Sequence, residues 1–386
     1  MAGKEQEKVR FGMVGGGKGA FIGGVHRRAA QFDGAAELVA GCFSRDYEVT
    51  KETGEELGLD ADRLYESYSE MAEKEADRED GIDFVSVVTP NNSHYEISKA
   101  FLKKGFNLMC EKPLTWEVEE SEELVQLAEE NECLFCVDYS YSGYPMVKQA
   151  REMVKRGDIG EVRVVMAEYP QDWLAIPPEQ EELQLSTWRT DPEIAGKSNC
   201  IGDIGSHVEH TVSYITGLEI ESLAADLTTF IQGEELEDNG QVMLKYKNGA
   251  SGMYWASQIA VGHDNGLKVR VFGSRGGIEW EQEHPNELQV AELNQPVKEM
   301  ARGKDYVYPQ ADKFSRIPPG HPEGYFEAYA NVYNAFSDAV AKKKSGKELT
   351  EEDLDFPKGE EGLRGVKFID RCLKSSQADS KWVQFE

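Results

Sequence analysis

Two short stretches of this sequence supply a lysine, an aspartate and a histidine, groups suited to moving a proton. The stretches are Glu111-Lys112-Pro113 and Gly202-Asp203-Ile204-Gly205-Ser206-His207. A lysine ammonium is a mobile cation that gives up its proton readily when desolvated. Beside a hydroxyl it stabilises a developing alkoxide or passes a proton on. Asp203 and His207 are four residues apart, a spacing that a helix brings onto one face. An aspartate so placed orients the imidazole and raises its basicity, and the histidine then acts as a general base. Each stretch alone also fits an inert role: a surface lysine in a proline-ended loop, or a helix-capping aspartate followed by a core histidine. His207 and His210 form H-x-x-H, but this is not the usual zinc spacing and no third ligand is evident, so no metal is expected.

Upstream, the apolar run Val9 to Val14 leads into Gly15-Gly16-Gly17-Lys18-Gly19-Ala20. Gly15, Gly17 and Ala20 match G-x-G-x-x-A. Such glycines permit a tight turn and let the backbone approach a pyrophosphate at the N-terminus of the following helix. The same pattern alone fits a plain strand–helix turn. Placed after the first strand of a βαβ unit, it reads as a dinucleotide site. The candidate cofactor-binding residues are Gly15, Gly17, Lys18, Ala20, Phe21, Ile22, Ser44, Arg45, Thr89, Pro90, Asn91, His94, Glu111 and Lys112. Near the end of the second strand, Arg45 suits a 2′-phosphate, whereas Asp46 suits free ribose hydroxyls. With no second cation nearby, NAD is the expected cofactor and NADP stays open.

These residues need a scaffold of alternating strands and helices. Strands are expected at 9–14, 38–43, 84–89, 107–110 and 134–137, with helices between them. That alternation gives a doubly wound parallel sheet whose ligands bind at the carboxyl ends of the strands. The glycine turn, the Thr89-Pro90-Asn91 loop and Glu111-Lys112-Pro113 all fall at such ends. Beyond about residue 140 come β-rich runs at 223–232, 241–246, 250–258 and 267–272, and Asn248-Gly249 is a strong hairpin signal. An α/β chain follows: a Rossmann domain over 1–139, then an α+β domain over 140–386 with an open, mainly antiparallel sheet. The last helix is expected to pack back on the first domain. Residues 296–320 read as a long surface loop.

The formal net charge of −29 repels phosphate backbones and anionic lipid, so neither nucleic acid nor membrane is an expected partner. No segment approaches the roughly 20 apolar residues of a membrane span. Met1 to Arg10 is polar, without a secretory apolar region, and a cytoplasmic protein is expected. Cys133 and Cys136 form C-x-x-C inside a strand-like run, where a structural role is expected rather than a redox one.

Taken together, Gly12-Met13-Val14-Gly15-Gly16-Gly17, Thr89-Pro90-Asn91, Glu111-Lys112-Pro113, Trp188-Arg189 and Gly202 to His207 resemble the Gfo/Idh/MocA family of oxidoreductases. The resemblance runs from about Val9 to about Phe336. Met13 to Arg27 and Pro319 to Gly324 also resemble a subgroup that includes sugar and glycoside dehydrogenases. The resemblance implies hydride transfer between a nicotinamide cofactor and a secondary hydroxyl, such as C3, of a sugar, glycoside or cyclitol. The family's lysine, aspartate and histidine fall on Lys112, Asp203 and His207. Tyr141, Trp173, Trp188, Arg189 and Lys197 are candidates for the substrate's faces and hydroxyls, beside Asp203 and His207. The outer face of the open sheet is implied to form a homo-oligomer, a dimer or tetramer. One departure is Gly196-Lys197-Ser198-Asn199-Cys200, where relatives are often glycine-rich. Lys197 and Arg189 raise the expectation of an anionic group on the substrate, unless they pair with Asp191 or Glu193. The family also includes glycosidases that oxidise transiently and keep their NAD, and a non-enzymatic sensor is a further alternative.

Overall fold

The computed structural model describes residues 8–175 and 187–386, so most of the polar amino-terminal stretch lies outside it. The chain divides into two compact units. The first comprises Met1–Thr115, Glu119–Asp138 and Tyr325–Gly362. Its strands are β1 (Val9–Gly15), β2 (Ala36–Cys42), β3 (Phe84–Val88), β4 (Asn107–Cys110) and β5 (Phe135–Val137). They form one sheet in the order β2-β1-β3-β4-β5, and every neighbouring pair is parallel. β3 is buried at every position, as a strand covered on both faces must be, which is why these strands read as apolar runs without alternation. The strand order reverses direction between β1 and β3, and that crevice is where such sheets bind ligands.

Helix Tyr325–Lys344 returns from late in the sequence to complete this core. Phe336 meets Phe84 edge-on at 5.2 Å between ring centres, and Tyr333 lies 6.5 Å from the rings of Phe11 and Phe84. Burying one such ring stabilises the fold by about 1.5–3 kcal/mol. Cys136 lies in β5 and Cys133 just before it, and burial pushes both thiols up, so the C-x-x-C is packing. All six cysteines are free.

The second unit comprises Trp116–Val118, Tyr139–Gly324 and Leu363–Glu386. Its strands are β6 (Val162–Pro170), β7 (Ile220–Thr228), β8 (Asn239–Tyr246), β9 (Ser251–Ser257), β10 (Lys268–Gly273), β11 (Gly276–Glu281), β12 (Glu287–Glu292), β13 (Lys298–Ala301) and β14 (Val383–Gln384). The sheet runs β13-β12-β11-β10-β6-β9-β8-β7-β14. Only β6 and β9 pair in parallel; the other neighbours are antiparallel. Burial alternates strictly along β8, the mark of a sheet with one covered face. The Asn248-Gly249 turn joins β8 to β9, with Gly249 at φ +87°. On the open face, Met243 and Met253 sit side by side, as do Val164 and Phe272, and all four are exposed.

Two expectations are corrected. Residues 296–320 are not one loop: β13 pairs with β12, and Pro309–Asp312 is a short helix. β13 is an edge strand, and edges carry polar residues that hide the alternation of a strand. The strand expected over 223–232 runs instead over Ile220–Thr228. It ends where the Asp238 carboxylate takes the N–H groups of Phe230 and Ile231 at 2.8 Å. Among the described residues, no helix is long and apolar enough to cross a membrane.

Candidate active site

In the first unit the glycine turn leaves β1 with Gly15 at φ +83° and Gly16 at φ +68°, conformations that glycine adopts without strain. The Gly17 N–H bonds the Phe43 carbonyl at 3.2 Å, and the Ala20 N–H bonds the Gly17 carbonyl at 3.0 Å. Helix Phe21–Gln31 starts here without a side-chain cap and without an acid in its first turn. Its leading amides therefore suit an anion. A Cβ added at Gly17 would stand 2.9 Å from the Phe43 carbonyl oxygen, so the turn is built for bare backbone. Together these residues fit a dinucleotide pyrophosphate. Gly16 and Gly23, a pair outside the G-x-G-x-x-A match, also pack backbone to backbone at this turn.

The other candidates in this unit take varied places. Lys18 points its ammonium at Glu56 (2.7 Å) and Glu52 (3.6 Å), at the surface. Phe21 is 80% exposed at the helix start, and Ile22 is half-buried. Ser44 Oγ accepts the Asp46 N–H, Asp46 caps helix Tyr47–Leu57, and Arg45 is exposed. Thr89, Pro90 and Asn91 form the turn after β3. His94 is fully buried and bridges two loops, with Nε2 2.8 Å from the Thr89 carbonyl and Nδ1 2.9 Å from that of Pro113. Both ring nitrogens must donate, so this ring is an imidazolium. Burial opposes its charge, but Cys110 and the two carbonyls outweigh that and push the pKa up to about 9. His94 thereby ties the Thr89 loop to the Lys112-Pro113 loop.

Glu111 lies beneath Lys112. Its Oε2 accepts the Lys112 N–H at 3.0 Å, and its Oε1 meets His26 Nε2 at 2.7 Å. Asp138 Oδ2 is 3.5 Å from the same nitrogen. Among the described residues, His26, Glu111 and Asp138 alone bring three potential metal-ligating atoms together. The 2.7 Å contact has the length of a hydrogen bond. Burial pushes the Asp138 pKa up to about 7, against the pull of His26. A carboxyl whose pKa rises on folding binds its proton more tightly in the folded state. Its contribution to stability therefore falls as pH climbs from the ordinary value of 3.8 to about 7. The groups around it are His26, Glu111 and Lys112. Asp138→Asn removes this slope. Thermal melts at pH 5 and pH 8 check it: the variant's melting temperature relative to wild type is expected to be higher at pH 8.

In the second unit, Asp203 lies in a π-helical turn, Ile201–Gly205, and His207 in the regular helix Ser206–Thr216. The helix thus begins with one wider, π-helical turn, a distortion common at functional sites. Glu237 holds this turn. Its Oε1 accepts Ser198 Oγ–H at 2.5 Å and the Ile201 N–H at 3.0 Å, while Ser198 Oγ accepts the Gly202 N–H at 2.9 Å. The Asp203 carboxylate accepts Gln258 Nε2–H at 3.1 Å and lies 3.6 Å from Arg189 Nε.

His207 is 7% exposed and lies among tyrosines: Tyr141 at 4.7 Å between ring centres, Tyr139 at 5.6 Å and Tyr169 at 6.3 Å. His210 stacks on Tyr139 at 4.2 Å, which accounts for the second histidine of H-x-x-H as packing. The Tyr141 and Tyr169 hydroxyls are hydrogen-bonded. Asn265 Oδ1 accepts from Tyr169 at 2.6 Å and from Gln171 at 2.8 Å, and Gln171 accepts Trp173 Nε1–H at 3.2 Å. Tyr141 and Trp173 are thus two ends of one network. Tyr169, Gln171 and Asn265 were not candidates on sequence, because amides and tyrosines in strand-like runs carry no spacing signal. Trp188 and Arg189 lie in the short helix Thr187–Arg189, and the Arg189 guanidinium sits 4.7 Å from the Trp188 ring centre. Lys197 stands apart. It is exposed, and its ammonium pairs with Glu117 at 2.5 Å. Asp191 caps the helix Pro192–Ala195 instead. Both cations that suggested an anionic substrate therefore face carboxylates.

Residues 9–139 match a family described as an oxidoreductase family with an NAD-binding Rossmann fold, and residues 147–279 match the GFO/IDH/MocA C-terminal domain. The chain is 37% identical over 381 residues to the uncharacterized oxidoreductase YfiI of Bacillus subtilis, covering 98% of this chain and 97% of that protein. An inositol dehydrogenase homologue from Azotobacter vinelandii, complexed with NAD+, superposes with a TM-score of 0.93 at 38% identity, covering 99% of this chain and 98% of that one. A structure complexed with NADH and myo-inositol, from the same organism, gives 0.90 at 36% identity, covering 98% and 97%.

Proposed function

The chain belongs to the Gfo/Idh/MocA family of NAD-binding oxidoreductases, and on that premise we propose that it oxidises a secondary hydroxyl of an uncharged sugar, glycoside or cyclitol. NAD, when bound, supplies the hydride acceptor for the carbon that is oxidised. His207 takes the hydroxyl proton as the carbon–oxygen double bond forms. Asp203, steadied by Gln258, stabilises the imidazolium that results. Lys112 donates a hydrogen bond to the same oxygen while negative charge builds there.

The observation that carries this reading is the surroundings of His207. Three tyrosines and the Asn265–Gln171 network offer hydroxyls and amides, groups that bind neutral polyols. Offsetting Lys197 with Glu117 and Arg189 with Asp203 removes the reason to expect an anionic substrate. The relative whose structure is complexed with NADH and myo-inositol supports the same substrate class. Six free cysteines suit a reducing compartment such as the cytoplasm. The exposed Met243, Met253, Val164 and Phe272 suit a face covered by a second copy of the chain.

The net reaction is tested with NAD+ and myo-inositol, and with a p-nitrophenyl glucoside in deuterated water. Oxidation is expected to stop when NAD+ is consumed, with one NADH and one keto product formed per turnover. Sustained nitrophenol release, deuterium at C2 and no net NADH would instead establish the glycosidase. Tyr141 and Tyr144, both buried near one another, are the groups such a hydrolase would use, whereas His263 and His321 are exposed.

A further inference from the structure

We propose that His26 is a positioning residue for Lys112: acting through Glu111, it holds the backbone from which the lysine side chain projects. The inference rests on the reading that Lys112 serves the substrate oxygen. Its basis is one continuous hydrogen-bonded chain inside the first unit. Ser86 Oγ, on β3, lies 2.7 Å from the Tyr333 hydroxyl. That hydroxyl lies 2.7 Å from His26 Nδ1. His26 Nε2 lies 2.7 Å from Glu111 Oε1, and Glu111 Oε2 receives the Lys112 N–H at 3.0 Å. Ser86, Tyr333 and His26 are all fully buried, and Glu111 is nearly so. The chain therefore connects β3, the helix Tyr325–Lys344, the helix that begins at the glycine turn, and the loop after β4.

The protonation of the chain follows from its neighbours. Glu111 at the end of β4 and Asp138 at the end of β5 both face His26 Nε2. Tyr329 and Tyr333 face it from the late helix, and Arg27 is its neighbour on its own helix. The charges of Lys112 and His94 also act on Glu111. Burial disfavours a charged His26, but the hydrogen bond to Glu111 and the charge of Asp138 outweigh it and raise its pKa. Burial likewise opposes the Glu111 charge, and His26 outweighs it. An imidazolium donates from both nitrogens, so Nε2–H points to Glu111 and Nδ1–H to Tyr333, whose own proton goes to Ser86. Every link then runs in one direction.

Stability alone does not call for this arrangement. A buried ion pair is often no better for stability than apolar residues of similar volume. What the charges provide here is direction: each oxygen of Glu111 has one donor, and the second donor is the Lys112 amide. Without His26, Glu111 and Asp138 would face each other as two buried acids. One would take up a proton, and Glu111 would lose the donor on Oε1 that fixes its other oxygen toward the Lys112 amide.

The test uses the full-length protein with Tyr333→Phe, His26→Leu and His26→Gln, and Lys112→Met for comparison. Tyr333→Phe keeps the ring and removes only the hydroxyl, so it guards against a misfolded His26→Leu. Hydrogen exchange resolved at the Lys112 amide is the readout that does not depend on substrate. Exchange there is expected to quicken about tenfold in Tyr333→Phe and more in His26→Leu, while the β4 amides keep their protection. With NAD+ and myo-inositol, kcat is expected to fall about tenfold, with KM and NADH affinity within about twofold. His26→Gln keeps a donor toward Glu111 and is expected to recover part of both losses. Unchanged Lys112 exchange in folded Tyr333→Phe and His26→Leu overturns the proposal. So do losses that track melting temperature alone, with His26→Gln no better than His26→Leu. Full turnover in Lys112→Met overturns the role of the lysine itself, while the exchange data still decide whether His26 holds its backbone.

Discussion

Replacing His207 with alanine is expected to lower turnover by about 10²–10⁴-fold at saturating NAD+ and polyol, the range for loss of a positioned proton-transfer group. Lys112→Met is expected to cost a similar factor, because it removes the second group proposed to meet the same oxygen. The two losses should appear in kcat and kcat/KM together, since both contacts strengthen only as charge moves. NADH affinity, read by fluorescence titration, should stay close to wild type in His207→Ala. His207 is packed against Tyr139 and Tyr141, so near-ultraviolet circular dichroism must accompany the kinetics to show that the cluster survives. A kcat within tenfold of wild type in a folded His207→Ala protein would place the general base elsewhere. A crystal structure with NAD and a bound polyol would then show which group reaches the hydroxyl.

The second large effect concerns the cofactor. A Cβ at Gly23 would stand 2.3 Å from the Gly16 carbonyl oxygen and 2.4 Å from Gly16 Cα. Both are backbone atoms, so no rotamer change relieves the clash, and the turn must open or the helix must shift. Gly16 sits at φ +68°, and the turn it forms is the one that suits the pyrophosphate. Gly23→Ala is therefore expected to weaken NADH binding by about 100-fold or more, a loss of about 2.7 kcal/mol or more. Gly24→Ala is the matched control. Its Cβ meets nothing within 4 Å, and alanine favours the helix by about 0.5–1 kcal/mol over glycine. Binding titrations of the two variants side by side decide the matter. Equal affinities would mean that the Gly16–Gly23 approach does not shape the cofactor site.

The parallel sheet was legible in the sequence because strands covered on both faces must be apolar at nearly every position, as β3 is. The glycine turn was legible because left-handed backbone selects for glycine at Gly15 and Gly16. The β8–β9 hairpin announced itself through Asn248-Gly249 for the same reason. Glu111-Lys112-Pro113 and Gly202 to His207 stood out because they are local patterns of rare chemical groups. These features are encoded within a few residues of one another, and so the sequence alone determined them.

Other features depended on partners far along the chain. The edge strand β13 had too little apolar pattern to declare itself, since an edge needs only its neighbour β12. Gly23 looked like an ordinary helical glycine until Gly16 lay against it. Glu117 pairs with Lys197 from 80 positions away, a partner that no local pattern near Lys197 announced. The helix Tyr325–Lys344 returns across most of the chain to bring Tyr333 to His26, 307 positions apart. The helix from His207 was legible, but Glu237 and Ser198, which hold Asp203 in a wider turn ahead of it, were not. Sequence reveals which groups are present and what the backbone next to them will do. Which buried charge meets which partner is decided by tertiary packing, because desolvation makes an unpaired group costly and the only available partners come from distant segments.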